Sequence, residues 1–583
     1  MVAGTEAGLV RFHSVRSSRE VKTGAQRYER PLYDYQTKTS PCREGCPTGH
    51  DIPLALFLIA QGRPDLAYRV FRDESPFPAI TGRVCYHPCE AACNRGQYDE
   101  ALSIAKLERF AADHGAPEAL AGDGEEMPAR FDTPVAVVGS GPAGLSCAFH
   151  LRRLGYPVVV YEASKDPGGA LRYGIPAYRL PRAVLDREIG RLEAMGISFR
   201  CGVRIGERLG FAQLREEYAA LFLGIGLARP RRLPVPGANR EGVLPGLTLL
   251  RRTGEGERVP LGGRVLVIGG GDVAVDVSRV AARLGAKEIT MCAVESESEL
   301  PAHPEEVHAA RQEGLDLVAG WAPLEILTLD GAMAVVVGRV KGLRRDQYGA
   351  VTLDVDREDV RQFVADSVVY AIGQEPDAES IPEGLRGGPR VAVGEWGDTA
   401  LPGVFAGGDI GGTYNVVQAL AAGKRAAIGI DLYLQKRHLP NLGERIGLGH
   451  GPALSAQGYL ALIEGRPQPA REQVVAFPAI NGDYFAPAPR AARPETAVAQ
   501  RLAGFAEVNA VLDQSTALDE AQRCFNCGFC SMCGNCFTFC PDAAVVQRAD
   551  WGFEIDLDHC KGCGICVREC PRSANKMVAE EEL

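Results

Sequence analysis

No apolar run in this chain is long enough to cross a bilayer as a helix. The opening segment MVAGTEAGLVRFHSVRSSREVKTG also lacks the apolar stretch of a secretory signal, so a cytoplasmic location without membrane insertion is expected. Basic residues form no long run and the net charge is -10, which argues against nucleic acid or an anionic membrane as partner. No Ser, Cys and His arrangement and no evident acid–base pair marks a separate substrate site. No side chain is therefore assigned a catalytic role, and the chemistry is expected to reside in cofactors. What the chain does have is cysteine: of 18, fifteen fall in clustered spacings, and in a reducing compartment such clusters read as metal ligands rather than disulfides. Only Cys147, Cys201 and Cys292 stand alone, as buried thiols would.

Near the C-terminus, Cys530, Cys533, Cys536 and Cys540 precede Pro541, and Cys560, Cys563, Cys566 and Cys570 precede Pro571. Each run is CxxCxxCxxxCP, the two-cluster ferredoxin spacing, in which the fourth cysteine of each run serves the other run's cluster. One 4Fe-4S cluster is thus expected on Cys530, Cys533, Cys536 and Cys570, and a second on Cys560, Cys563, Cys566 and Cys540. A pair of zinc sites is the alternative, although zinc rarely uses this interleaving or the trailing proline.

Two dinucleotide fingerprints occupy the middle of the chain. In TPVAVVGSGPAGLSCAFHLRRLGYPVVVYEAS a short apolar strand leads to Gly139, Gly141 and Gly144, a helix, a second strand and then Glu162. Such glycines let backbone approach a pyrophosphate at the helix start, and the carboxylate accepts from a ribose hydroxyl. The second, GGRVLVIGGGDVAVDVSRVAARLGAKEITMCAVESESELP, places Gly269, Gly271 and Ala274 in the turn and Glu295 after the strand. Much later, Gly407, Gly408 and Asp409 precede a helix whose N-terminus could face a flavin. The expected fold is α/β: two Rossmann-like domains, the NAD-binding one (236–364) inserted into an FAD-binding one (132–235 plus 365–437). An α-helical iron–sulfur domain (1–125) precedes them, with a polar linker near 114–131; a strap (438–519) and a ferredoxin-like domain with two 4Fe-4S clusters (520–583) follow. Within the strap, Tyr484 and Phe485 read as packing anchors, and FAEVNAVLDQSTALDEAQR as a short helix.

The segments GGALRYGIPAYRLP at 168–181, GGGD at 269–272 and AGGD at 406–409 resemble the glutamate synthase small-subunit family. That family also contains the N-terminal half of dihydropyrimidine dehydrogenase and NADH-linked flavoproteins associated with dissimilatory sulfite reductase. The likeness spans about residues 40–435. It implies FAD in the first fold, held by Gly139, Gly141, Gly144, Glu162, Arg172 and Asp409, and a nicotinamide nucleotide in the second. Many members carry two arginines after the second strand of the inserted domain, suited to the 2′-phosphate of NADP. Here Val294 and Glu295 stand there, with Glu297 and Glu299 beyond, so NAD(H) is expected over NADP(H); the other reading of these glutamates is a solvated loop.

The resemblance also frames the N-terminal cysteines. Members carry CxxCxxxxCxxxCP, three further cysteines, and a Gln or Glu in a helix beginning LERF or LQQF. This chain has Cys42, Cys46, Cys85, Cys89 and Cys93 with Leu107-Glu108-Arg109-Phe110, but no leading CxxC. The usual introduction to that pair, EAxRCxxC, reappears at Glu520–Cys527, where Cys524 and Cys527 are surplus to the ferredoxin runs. The hypothesis is that the C-terminal segment folds back, or crosses to a second subunit of a homodimer, so that Cys524 and Cys527 join Cys42 and Cys93. Cys46, Cys85 and Cys89 would make the other set, with Glu108 as the ligand implied by resemblance. The alternatives are one N-terminal cluster with Cys524 and Cys527 idle, and Glu108 as a surface helix charge. The expected activity is electron transfer between NADH and a ferredoxin or a larger redox enzyme through FAD and the clusters, in either direction, as the NADH-handling subunit of a complex. A glutamate synthase small subunit and a non-enzymatic electron-carrying scaffold are the other readings, and bifurcation would need a second acceptor site that the sequence does not display.

Overall fold

The computed structural model describes residues 29–33, 37–115, 130–207, 209–329, 332–346, 351–466, 470–471, 473–548 and 552–579. The opening segment and most of the linker expected near 114–131 lie outside these residues. The flavin-type domain is a five-stranded parallel sheet in the order Val404–Ala406, Ala220–Leu223, Val135–Val138, Val158–Glu162, Ser198–Cys201. Its central strand, VAVV, is buried along its whole length, as a parallel strand covered on both faces must be. Helices Pro142–Leu154 and Val416–Leu434 pack closely on one another; a Cβ on Gly423 would lie 2.1 Å from the Ala143 carbonyl oxygen, so only glycine permits this approach.

The inserted domain has its own parallel sheet, ordered Leu315–Ala319, Glu288–Ala293, Arg264–Ile268, Ser367–Tyr370, Val243–Pro245. A three-stranded antiparallel sheet, Trp321–Leu329, Ala332–Arg345 and Val351–Ala365, lies beside it. The boundary expected at 365 is displaced: Val368 and Val369 are fully buried in the inserted sheet, so the chain returns to the flavin domain only after Gln374–Glu375 pairs with Arg229–Pro230. These two short strands form the double crossing between the domains.

Short helices build the N-terminal domain. Asp51 caps Ile52–Ala60 through Leu54 N (3.4 Å), and Pro64 opens Pro64–Arg72, both as the sequence suggests. In the strap, Asp513 caps a helix confined to Gln514–Gln522, so the preceding FAEVNAVL is not helical. Phe485 packs on Phe525, but Tyr484 is exposed and donates to Glu569 instead of anchoring a core.

The ferredoxin unit draws on both ends of the chain. Glu29–Tyr33 pairs antiparallel with Asn575–Ala579, beside the hairpin Val545–Gln547 and Phe553–Ile555. The unit expected at 520–583 is therefore incomplete without a strand from the segment assigned to the helical domain. Arg30 is fully buried there and donates to the Cys560 carbonyl.

Candidate functional site: two nucleotide turns and four groups of cysteines

In the first fold Gly139 has φ +100°, and a Cβ on Gly144 would sit 1.9 Å from the Gly139 carbonyl oxygen. Gly141 is the N-cap of helix Pro142–Leu154 and makes no side-chain capping bond, and a helix N-terminus of this kind suits an anion. Glu162 is buried with both oxygens engaged: Oε2 accepts from Ser140 N (3.1 Å) and Ser140 Oγ (2.5 Å), and Oε1 from Ser164 N (2.7 Å). Gly408, at φ +77°, abuts Ala143 in the first turn of the same helix, which brings Asp409 to it. Burial raises the Asp409 carboxyl, and a hydrogen bond from Thr413 works against that rise. The Gly168–Gly169 turn lies on Gly141, but the Arg172 guanidinium turns to the Pro167 carbonyl and to Asp186.

The second fold repeats the plan. Gly269 has φ +145°, Gly271 caps helix Asp272–Arg283, and Ala274 is fully buried in its first turn. Glu295 is 7% exposed. Its Oε1 accepts from Arg345, while buried Oε2 has no hydrogen-bond partner and lies 2.5 Å from where a Cβ of Gly270 would be. A buried acceptor without a donor, facing a glycine turn, suits a ribose hydroxyl. Glu297 and Glu299 are exposed and bonded to Arg311 and Ser296, as the solvated-loop reading has it for these two.

The ferredoxin cysteines gather as the interleaving requires. Cys540, Cys560, Cys563 and Cys566 line one cavity; Cys530, Cys533, Cys536 and Cys570 line another. Local backbone repeats across the pair: Ala544 N donates to Cys540 Sγ and Ala574 N to Cys570 Sγ, each at 3.2 Å. Four thiols lining one cavity suit a polynuclear cluster.

Cys524 and Cys527 come back to the N-terminal domain within the same chain. Burial first, then Cys93, raises Cys42 far above the ordinary thiol range; Cys524 and Cys527 add to this and a Ser40 hydrogen bond opposes it. Burial, with Cys93 among the neighbouring sulfurs, pushes Cys524 and Cys527 each up to about 12. Asn94 donates to Cys527 Sγ at 3.3 Å. Cys42, Cys93, Cys524 and Cys527 are thus neighbours, two of them brought by the returning segment.

Cys46, Cys85, Cys89 and Glu108 line a third cavity, together with His50, Thr81 and Val417. Glu108 is buried, which overturns its reading as a surface charge. Burial raises its carboxyl to about 7, against the pull of His50 and a 2.5 Å hydrogen bond from Thr81. Val417 opens the helix that follows Gly408 and Asp409, so this cavity shares a wall with the flavin domain. Arg572 spans the other side: it donates to Phe525 O (2.7 Å), Asn526 Oδ1 (2.8 Å) and Ser531 Oγ (2.6 Å), joining the Cys524 loop to the Cys530 loop. Sequence reasoning missed Ser140, Tyr33, Arg345 and Arg572. Ser140 could have been noticed inside GSG; the other three carry no local signal, because their partners are remote in the chain.

The profile of the pyridine nucleotide-disulphide oxidoreductase family matches residues 133–425. That of dihydropyrimidine dehydrogenase domain II, 4Fe-4S cluster, matches 11–119, and a 4Fe-4S binding domain matches 553–574. The beta subunit of an NADP(+)-dependent formate dehydrogenase from Moorella thermoacetica is 34% identical over 532 residues, covering 84% of this chain and 70% of its own length. The beta subunit of an NADPH-Fe(3+) oxidoreductase from Geobacter sulfurreducens is 33% identical over 68% of this chain and 64% of its own. Subunit PreT of an NAD-dependent dihydropyrimidine dehydrogenase from Salmonella typhimurium is 31% identical over 68% of this chain and 92% of its own. With its two nucleotide folds, cysteine groups and these matches, the chain belongs to the pyridine nucleotide-disulphide oxidoreductase family, in the form fused to iron–sulfur domains at both ends.

Proposed function

We propose that the protein moves electrons between NAD(H) and a redox partner protein, through FAD and four 4Fe-4S clusters, as the nucleotide-handling subunit of a larger complex. The observation that carries this reading is the continuity of the cysteine groups. The cavity of Cys46, Cys85, Cys89 and Glu108 borders the flavin domain at Val417; Cys42 neighbours Cys89; Arg572 joins the Cys524 loop to the ferredoxin unit. Cys533 and Cys563 are exposed at the far end, where a partner could accept single electrons.

FAD, when bound, supplies the exchange between a two-electron hydride and single electrons. The chain's part is positional. Gly139, Gly141 and Gly144 clear the space for a pyrophosphate, and Ser140 and Ser164 fix Glu162 at the ribose position. Glu295 supports the choice of NAD(H), since a buried carboxylate accepts from a free 2′-hydroxyl and repels a 2′-phosphate. Relatives named for NADP(+), NADPH and NAD lend no single preference. Membership of a complex is supported by relatives that are themselves named as subunits; a ferredoxin as the acceptor, a homodimer and a cytoplasmic location belong to this proposal as well. No described helix is long and apolar enough to cross a membrane.

The test is NADH-dependent reduction of a viologen dye by the full-length, anaerobically reconstituted protein, with iron counted in the same sample. Turnover with about sixteen irons per chain is expected. A protein that holds its clusters yet shows no turnover would be the electron-carrying scaffold instead.

A further inference from the structure

The two nucleotide turns differ in the residue between their first two glycines, and that difference exposes a device for choosing the nucleotide. In the first turn Ser140 lies between Gly139 and Gly141 and satisfies Glu162 Oε2 through both its amide and its hydroxyl. In the second, Gly270 occupies that place with no hydroxyl to offer. Glu295 Oε2 is thereby left buried and without a donor, directly against the turn. Its other oxygen is held by Arg345, which reaches in from the end of strand Ala332–Arg345 of the antiparallel sheet. The Arg345 side chain is 41% exposed, against 8% for that of Glu295, so the guanidinium sits at the solvent side of the carboxylate. The Glu295 backbone is tied independently, its carbonyl accepting from Gly320 N at 2.7 Å.

We propose that Arg345 sets nucleotide specificity in this fold: it clamps Glu295 with Oε2 free to accept from the 2′-hydroxyl of NAD(H), and it would serve as a 2′-phosphate ligand once that carboxylate is neutralised. This deepens, and rests on, the NAD(H) reading above. The clamp also supplies the counter-charge that a buried carboxylate requires. Arginine suits both roles, since its planar fork matches carboxylate and phosphate alike. Glu297 does not compete for Arg345, being paired with Arg311 at 2.6 Å.

The experiment is calorimetric titration of the full-length, flavin-loaded protein with NAD+ and, separately, NADP+, for wild type, Arg345→Ala, Glu295→Gln and the double variant. Glutamine keeps the shape of the buried side chain, and Arg345 is exposed enough to be truncated without a cavity. Wild type is expected to favour NAD+. Glu295→Gln should gain about tenfold or more in NADP+ affinity, and the double variant should lose that gain, because the charge-assisted contact has gone. Arg345→Ala alone should weaken NAD+ severalfold without improving NADP+. Equal NADP+ affinity in Glu295→Gln and the double variant would overturn the role of Arg345 while leaving the NAD(H) reading intact. A wild type that binds both nucleotides alike would instead overturn that reading, whatever the variants do.

Discussion

Replacing Cys524 and Cys527 together by alanine separates a chain with four cluster sites from one with three. In the folded chain these two residues supply half of the sulfurs grouped with Cys42 and Cys93. Two buried thiols cannot by themselves hold a tetranuclear cluster, which takes four protein ligands. About four of about sixteen irons should therefore be lost, leaving about twelve. The loop itself should stay docked, because its hold is made by other groups. Arg95 donates to Arg523 O (2.8 Å), Asn526 Nδ2 to Pro53 O (2.8 Å) and Arg572 to Phe525 O (2.7 Å). Each Cys→Ala change removes one sulfur, about 1 kcal/mol on the usual mutational scale, so gross unfolding is not expected. Iron and acid-labile sulfide should be assayed per chain after anaerobic reconstitution, on the monomeric fraction from gel filtration. Unchanged iron would reject the donation. A monomer that held only about twelve irons in the unmodified protein, rising to sixteen on dimerisation, would move the donation to a second subunit.

Other outcomes follow from the same contacts. Lys424 is buried and donates to Glu74 Oε2 (2.9 Å), Thr48 O (2.6 Å) and Leu454 O (2.6 Å), tying the helical domain, the flavin domain and the strap; Lys424→Met should cost about 3–5 kcal/mol by stranding the carboxylate, read as a fall in thermal midpoint of about 3–4 °C, and Lys424→Met with Glu74→Gln should recover part of it. Burial pushes the Glu74 carboxyl up, but Lys424, Arg43 and Ser455 outweigh burial and hold it below its usual value. The unfolded chain then takes up the proton first, so this stabilisation is present above about pH 4.3 and is lost as pH falls below it; acid unfolding of Glu74→Gln should begin less steeply in that window. Tyr33 donates to Cys536 Sγ at 2.9 Å; Tyr33→Phe should lower the midpoint of one cluster in an EPR-monitored redox titration by several tens of millivolts, since a lost sulfur hydrogen bond disfavours the reduced state, and a midpoint unchanged within error would rule the contact out as a tuning element.

The parts of the site that were legible in the sequence are those whose chemistry is local. Cys530 to Cys540 and Cys560 to Cys570 carry their interleaving in the spacing itself, and Gly139 with Glu162 spells out strand, turn and acid. The homeless EAxRCxxC at Glu520 was legible only because a resemblance showed where such a pair belongs. What escaped depends on distant partners. Nothing about Tyr33 or Arg345 announces Cys536 or Glu295, and the strand Ser367–Tyr370 is apolar enough to suit either sheet. Its assignment is decided by pairing with Arg264–Ile268 across roughly a hundred residues of intervening chain. The same holds for FAEVNAVL, where no local stop signal precedes the cap at Asp513.

The pairing of Glu29–Tyr33 with Asn575–Ala579 has a consequence for assembly. A ribosome releases the first of these segments long before it makes the second, so this iron–sulfur unit cannot close until residues 575–579 have been made. Until then the early segment has no edge to join, and the late one, once made, exposes its own. Excising residues 520–583 as a free module would leave that edge bare and remove both Arg30 and Tyr33 from the cysteines they touch, Cys560 and Cys536. This iron–sulfur unit is thus a late-closing seam between distant segments, not a detachable appendage.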